Sequence, residues 1–86
     1  MKIIYSPKFR REYKKLSLEA KLLAEEREQT FRKNPFDSSL KTHKLGGRLK
    51  NFWAFSIDYK YRIIFEFAEN NTVYFHSVGD HDVYSR

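Results

Sequence analysis

The stretch His43–Phe67, HKLGGRLKNFWAFSIDYKYRIIFEF, constrains this chain more than any other. Its odd positions are apolar: Trp53, Phe55 and Ile57, then Tyr61, Ile63, Phe65 and Phe67. Its even positions include Ser56, Arg62 and Glu66. Alternation with period two marks a strand with one buried face. In an antiparallel pair the partners' numbers have a constant sum, and a slip of one residue exchanges the faces of a strand. The odd residues of both strands share a face only if that sum is even. A three-residue turn, Asp58-Tyr59-Lys60, meets this condition and predicts Ser56 opposite Arg62. A two-residue turn would put an unpaired guanidinium among aromatic rings, which is costly. The odd face is therefore the expected core, and Arg62 points away from it near the hairpin end.

The rest of the chain supplies what covers that core. Lys2–Tyr5 reads as a short strand. Ser6-Pro7 then has the form of a helix N-cap followed by proline at the first helical position. Phe9, Tyr13 and Leu16 follow at helical spacing, so a helix is predicted to run to Lys15 or Leu16. Ser17 caps a second helix whose predicted apolar stripe is Leu18, Leu22, Leu23 and Phe31. It stops before Asn34-Pro35, because proline cannot donate and restricts the residue before it. After a connector at Phe36–Thr42, His43–Lys50 reads as a strand interrupted by Gly46-Gly47. Glu69-Asn70-Asn71 is a second turn, and Thr72–Val78 returns. Val73 and Phe75 are expected on the core face, and Tyr74, His76 and Val78 on the Arg62 face. The expected fold is α+β, β-α-α-β-β-β. It is a single domain, residues 1–86, with an antiparallel sheet, an N-terminal αα-hairpin on one face and an open basic face on the other.

Size and composition narrow the classes. A chain of 86 residues buries only about 60–65% of its unfolded surface, so its core is small, and a 17% aromatic content suits filling it. It has no cysteine, which excludes a disulfide framework and thiolate metal sites. No apolar run approaches the roughly 18 residues of a membrane span. The N-terminus is charged too early for a signal peptide. The expectation is a soluble cytoplasmic protein with no membrane partner. The net charge of +6 is segregated. Lys41, Lys44, Arg48, Lys50, Lys60 and Arg62 share their stretch with one acid, Asp58, and Lys8, Arg10, Arg11, Lys14 and Lys15 share theirs with Glu12. A segregated basic surface suits a polyanionic partner, either nucleic acid or an acidic protein.

Strand order brings distant residues together. The start of Tyr61–Phe67 lies beside the end of Thr72–Val78, so Gly79–Tyr84 emerges next to Arg62. The start of the His43 strand lies beside Asp58, at the same end. His43, Lys44, Ser56, Arg62, His81 and Tyr84 are thus expected at one corner of the open face. That set suits cleavage of an RNA phosphodiester. A base takes the 2′-OH proton, an acid protonates the leaving 5′-oxygen, and histidine serves either role near neutral pH. Arginine matches phosphate oxygens with its planar fork. Tyrosine can stack on an unpaired base or donate a proton. Either His43 or Lys44 could be the base. His76, in mid-strand, reads as structural. No metal-ligand set is visible, since His76 and His81 sit on a strand and a loop, and no cofactor is expected.

Over HKLGGRLKNFWAFSIDYKYRIIFEF and VGDHDVY the chain resembles the RelE/ParE superfamily of toxin–antitoxin toxins, and most of all its RelE/StbE, YoeB and YafQ branches. The resemblance runs from Lys2 to Tyr84. It implies a metal-independent, ribosome-dependent mRNA endonuclease. Arg62 would contact the scissile phosphate, His43 would be the base, His81 the acid, and Tyr84 would close the set. Lys41, Lys44, Arg48, Lys50 and Lys60 would meet mRNA or rRNA at the ribosomal A site. The family's partner is an antitoxin whose acidic segment folds on binding, for which the Lys8–Lys15 face is suited. Where some members carry lysines on the central strand, this chain has Trp53 and Phe55, which favours the two-histidine version. The alternatives are a gyrase poison in the manner of the ParE branch and an inactive antitoxin-binding module.

Overall fold

The structure is a computed structural model and describes residues 1–80 and Val83. Strand β1 (Lys2–Tyr5) leads into helix α1 (Pro7–Lys14) and helix α2 (Leu18–Lys33). Then come β2 (His43–Lys44), β3 (Trp53–Ser56), β4 (Arg62–Ala68) and β5 (Thr72–Gly79). The five strands form one sheet in the order β1-β5-β4-β3-β2. The α+β expectation holds, with two refinements. The sheet is mixed: both helices carry the chain from β1 to β2 at the opposite edge, and three successive antiparallel pairings then bring β5 back beside β1 in parallel. The weak strand expected over His43–Lys50 shrinks to two residues and adds a fifth strand at the edge. Beyond it, Gly47 adopts a φ of 61° and starts a 3₁₀ turn over Gly47–Leu49.

Both helix starts match their sequence signals. The Ser6 hydroxyl accepts from Phe9 N at 2.9 Å with proline at the first turn, and the Ser17 hydroxyl accepts from Ala20 N at 3.1 Å. The buried stripe of α2 differs from the expected one. Leu18 and Leu22 are 73% and 58% exposed, while Ala20, Ala24 and Phe31 are buried. Small alanines let the helix lie close to the sheet, and Arg27 reaches down to donate from Nε to the Ile57 carbonyl at 3.1 Å. Phe31 is the centre of the core. Its ring lies 4.7 Å from Phe55, 4.9 Å from Phe65 and 5.6 Å from Phe75, centroid to centroid. Each such ring, fully buried, contributes about 1.5–3 kcal/mol of burial free energy.

The β3–β4 register is the one predicted. Ser56 pairs with Arg62, and Ile57 N donates to Tyr61 O at 2.9 Å. The Asp58 carboxylate holds the turn, accepting from Lys60 N at 2.8 Å and Tyr61 N at 2.7 Å. The β4–β5 register contains a bulge. Phe65 pairs with Phe75 but Ile64 pairs with Ser77, so His76 is an extra residue. The bulge reverses the parity of the residues beyond it. Val78, expected on the Arg62 face, instead pairs with Ile63 and is buried in the core. Ser77 takes its place on the Arg62 face.

Candidate functional site

The ladder places the candidate residues on faces. His43 pairs with Ala54, Ala54 with Ile64, and Ile64 with Ser77. Two rungs further, Ser56 pairs with Arg62 and Arg62 with Gly79. Paired residues in adjacent strands share a face, so His43 and Arg62 both look away from the helices. Lys44 pairs with Trp53 and faces the helix side. Among the described residues, His43 and not Lys44 shares the Arg62 face.

Each of these side chains is held in a definite way. The Arg62 guanidinium is half-buried and folds back on its own hairpin, with Nη1 donating to Asp58 O at 2.6 Å and Tyr61 O at 3.1 Å. It is therefore anchored at the sheet end. His43 is exposed, and its Nδ1 lies 3.0 Å from Lys41 O. A carbonyl oxygen only accepts, so in this contact the ring donates from Nδ1, and Nε2 is not part of it. The orientation comes from the turn before β2, where Lys41 takes a left-handed φ of 54°. His81 and Tyr84 lie outside the described residues. Their neighbours do not: β5 ends at Gly79 opposite Arg62, and Val83 N donates to Asp80 O at 2.9 Å.

The Arg62 face, expected to be open, is partly closed. Val83 is 2% exposed, and Ala54, Ser56, Ile64 and Ser77 are all buried. The Gly46–Phe52 loop folds over this face. Leu49, Phe52 and Val83 join Ile64, His76 and Ser77 around a hollow of about 310 Å³. Closing this face also distributes the basic residues. Lys41 and Lys60 stand at the Arg62 end, and Lys60 lies 5.2 Å from the centroid of the Tyr61 ring. Arg48 and Lys50 flank Leu49 in the covering loop and are exposed. Lys44 is turned to the other side. The basic residues thus rim the covered face more than they fill one concavity.

Two polar groups near the site carry no functional signal in the sequence. His76 Nε2 lies 3.1 Å from Glu66 Oε1, and its ring meets Phe52 edge-on at 4.9 Å. Glu12, from α1, accepts at Oε1 from the Ser77 hydroxyl at 2.7 Å and from Val78 N at 3.1 Å. A single acid in a basic helix is the one hint of the latter.

Comparison with solved structures places this arrangement among known folds. A YoeB/ParE toxin from Agrobacterium tumefaciens superposes with a TM-score of 0.79 at 14% identity, covering 94% of this chain and 99% of that one. The chain has the fold of the YoeB and YafQ toxins. YafQ from E. coli aligns with a TM-score of 0.77 at 18% identity, over 92% of this chain and 91% of that one. YoeB from Staphylococcus aureus, in a heterotetrameric toxin–antitoxin complex with YefM, aligns at 0.75 and 19% identity, over 94% and 97%. The fold implied by the sequence resemblance is thus met. No protein-family model matches the chain, and no curated protein sequence matches it significantly.

Proposed function

We propose that this chain is the toxin of a type II toxin–antitoxin module and that it cuts mRNA on the ribosome. The reading is supported by the YoeB/YafQ fold together with one geometric observation. His43 and Arg62 share a sheet face, and β5 ends at Gly79 directly opposite Arg62. In this scheme Nε2 of His43 takes the 2′-OH proton. The 2′-oxygen attacks the adjacent phosphorus, Arg62 offsets the added charge on the phosphoryl oxygens, and His81 protonates the departing 5′-oxygen. Tyr84 stacks on an exposed base or assists that protonation. Exposed Lys41, Arg48, Lys50 and Lys60 meet phosphates of mRNA and rRNA, a contribution that weakens as salt rises. Lys44 contributes charge from the other side of β2.

The proposed partner is an antitoxin with an acidic segment. A cleft of about 480 Å³ on the helix side offers such a segment the rings of Tyr5, Phe9 and Tyr13 and, on its α1 wall, the cations Arg10 and Lys14, while Glu25 and Glu28 line its α2 wall and would turn the acidic groups toward α1. The deciding experiment incubates the protein with ribosomes and a translated mRNA. Codon-positioned cuts are expected, and they should vanish in Arg62→Ala and His81→Ala. Equal cutting by those variants, or none by the wild type, refutes the nuclease. Expression that induced DNA-damage responses while translation continued would point to gyrase instead.

A further inference from the structure

Strand β5 outlasts its outer neighbour. β1 ends at Tyr5, because Pro7 starts α1, and its last rung is Tyr5 opposite Phe75. β5 continues to Gly79. Main-chain groups left without partners in buried surroundings are costly, and residues 77–79 are buried. The start of α1 meets the first part of this need. Ser6 N donates to Phe75 O at 3.0 Å, and the Ser6 hydroxyl donates to His76 O at 2.8 Å. Glu12, two turns further along the helix, meets a second part of it. Its Oε1 takes both the Val78 amide and the Ser77 hydroxyl. A carboxylate here stands where a neighbouring strand would supply a carbonyl, and bonds to a charged acceptor are roughly twice as strong as neutral ones.

The opposite edge of the same segment carries the candidate site. Val78 pairs with Ile63 and Gly79 with Arg62. Glu12 therefore grips β5 across the strand from Arg62, one residue before the rung where the chain leaves the sheet. We infer that Glu12 is a positioning residue: by holding Ser77 and Val78 it fixes where β5 ends, at Gly79 beside Arg62. The inference rests on the nuclease reading. Glu12 touches no substrate and moves no proton in it; it acts through β5.

The test compares Glu12→Ala, Glu12→Gln and Glu12→Asp in the ribosome-dependent cutting assay, with kcat and KM separated. Displacing a catalytic group by about 1 Å costs about 100-fold, so Glu12→Ala should lower kcat by about 10- to 100-fold with KM nearly unchanged. Glu12→Gln keeps an acceptor oxygen at the same reach and should regain most of that loss. Amide exchange at Val78 should quicken in the alanine variant and recover in the glutamine variant. Should Glu12→Ala fail to fold, Glu12→Asp, one methylene short, should fold and still cut slowly. Wild-type rates in Glu12→Ala or Glu12→Asp overturn the inference while leaving the nuclease standing, as does a change confined to KM. A wild-type protein that cuts no mRNA overturns the nuclease reading, and this inference with it.

Discussion

The two faces of the sheet are built differently. Toward the helices, large rings and branched chains interlock: Phe31, Phe55, Phe65, Phe75, Ile57, Ile63, Val73 and Val78 are all nearly inaccessible. Away from them, the buried residues are mostly small or polar: Ala54, Ser56, Ile64 and Ser77. Among the described residues, no helix covers this second face. It is closed by a loop around Leu49 and by Val83 from the C-terminal segment. The first face carries the stability of the molecule. The second is shallow, rimmed with cations and anchored at one end by Arg62, and so it can hold chemistry. Burial there serves to place side chains more than to drive folding.

The division can be broken by substitution. The largest effect is expected at Phe31. Phe31→Ala should cost about 3–5 kcal/mol in denaturant unfolding while leaving cutting per folded molecule unchanged. A folded Phe31 variant that cut no mRNA would merge the two faces functionally. Arg62→Ala should do the reverse. Removing a charge-stabilising donor costs about 10²–10³ in rate, whereas the lost bonds to two carbonyls should change unfolding by only about 1 kcal/mol. A large stability loss without loss of cutting would make Arg62 structural. Val83→Ala removes two carbons from the covered face, so about 1.6 kcal/mol is expected in unfolding, with slower cutting as the segment loosens. The smallest effect is a pH dependence on the helix side. The Tyr5 hydroxyl donates to the Glu28 carboxylate at 2.8 Å and 2.9 Å, and burial followed by that bond raises its pKa above 10.0. Folding holds the phenol neutral, so this contribution is complete below pH 10.0 and is lost as pH rises through the elevated value. Thermal melts above about pH 10 should show the decline, and Tyr5→Phe should flatten it.

Much of this is legible in the chain. Odd-even alternation in WAFS and YRIIFEF, joined by a turn that Asp58 can close, is enough to orient Arg62 correctly. Ser6-Pro7 and Ser17 announce both helices. What the pattern cannot convey is a change of phase within a strand. Thr72–Val78 has no glycine or proline to betray the bulge, so simple alternation puts Val78 on the wrong face. The α2 stripe misleads for a related reason. Leucines are the stronger hydrophobic signal, yet close packing on a sheet selects Ala20 and Ala24, and leaves Leu18 and Leu22 in water. The pairing of His43 with the Arg62 face is readable from strand order. Glu12 is not, because a carboxylate that completes the edge of a strand 65 residues away leaves no periodic trace.

The extra residue at His76 has a consequence for any redesign or transplant of this hairpin. It puts two neighbouring side chains, His76 and Ser77, on one side and rotates everything downstream by half a period. Deleting His76 would only straighten the strand, leaving Ser77 opposite Ile64 and Val78 opposite Ile63. A version that kept every residue but paired without the bulge would keep its aromatic rows intact as far as Phe75, then set Ser77 opposite Ile63 and Val78 opposite Arg62. Such a protein should still fold around Phe31, but with a hydroxyl in the core and Val78 on the Arg62 face.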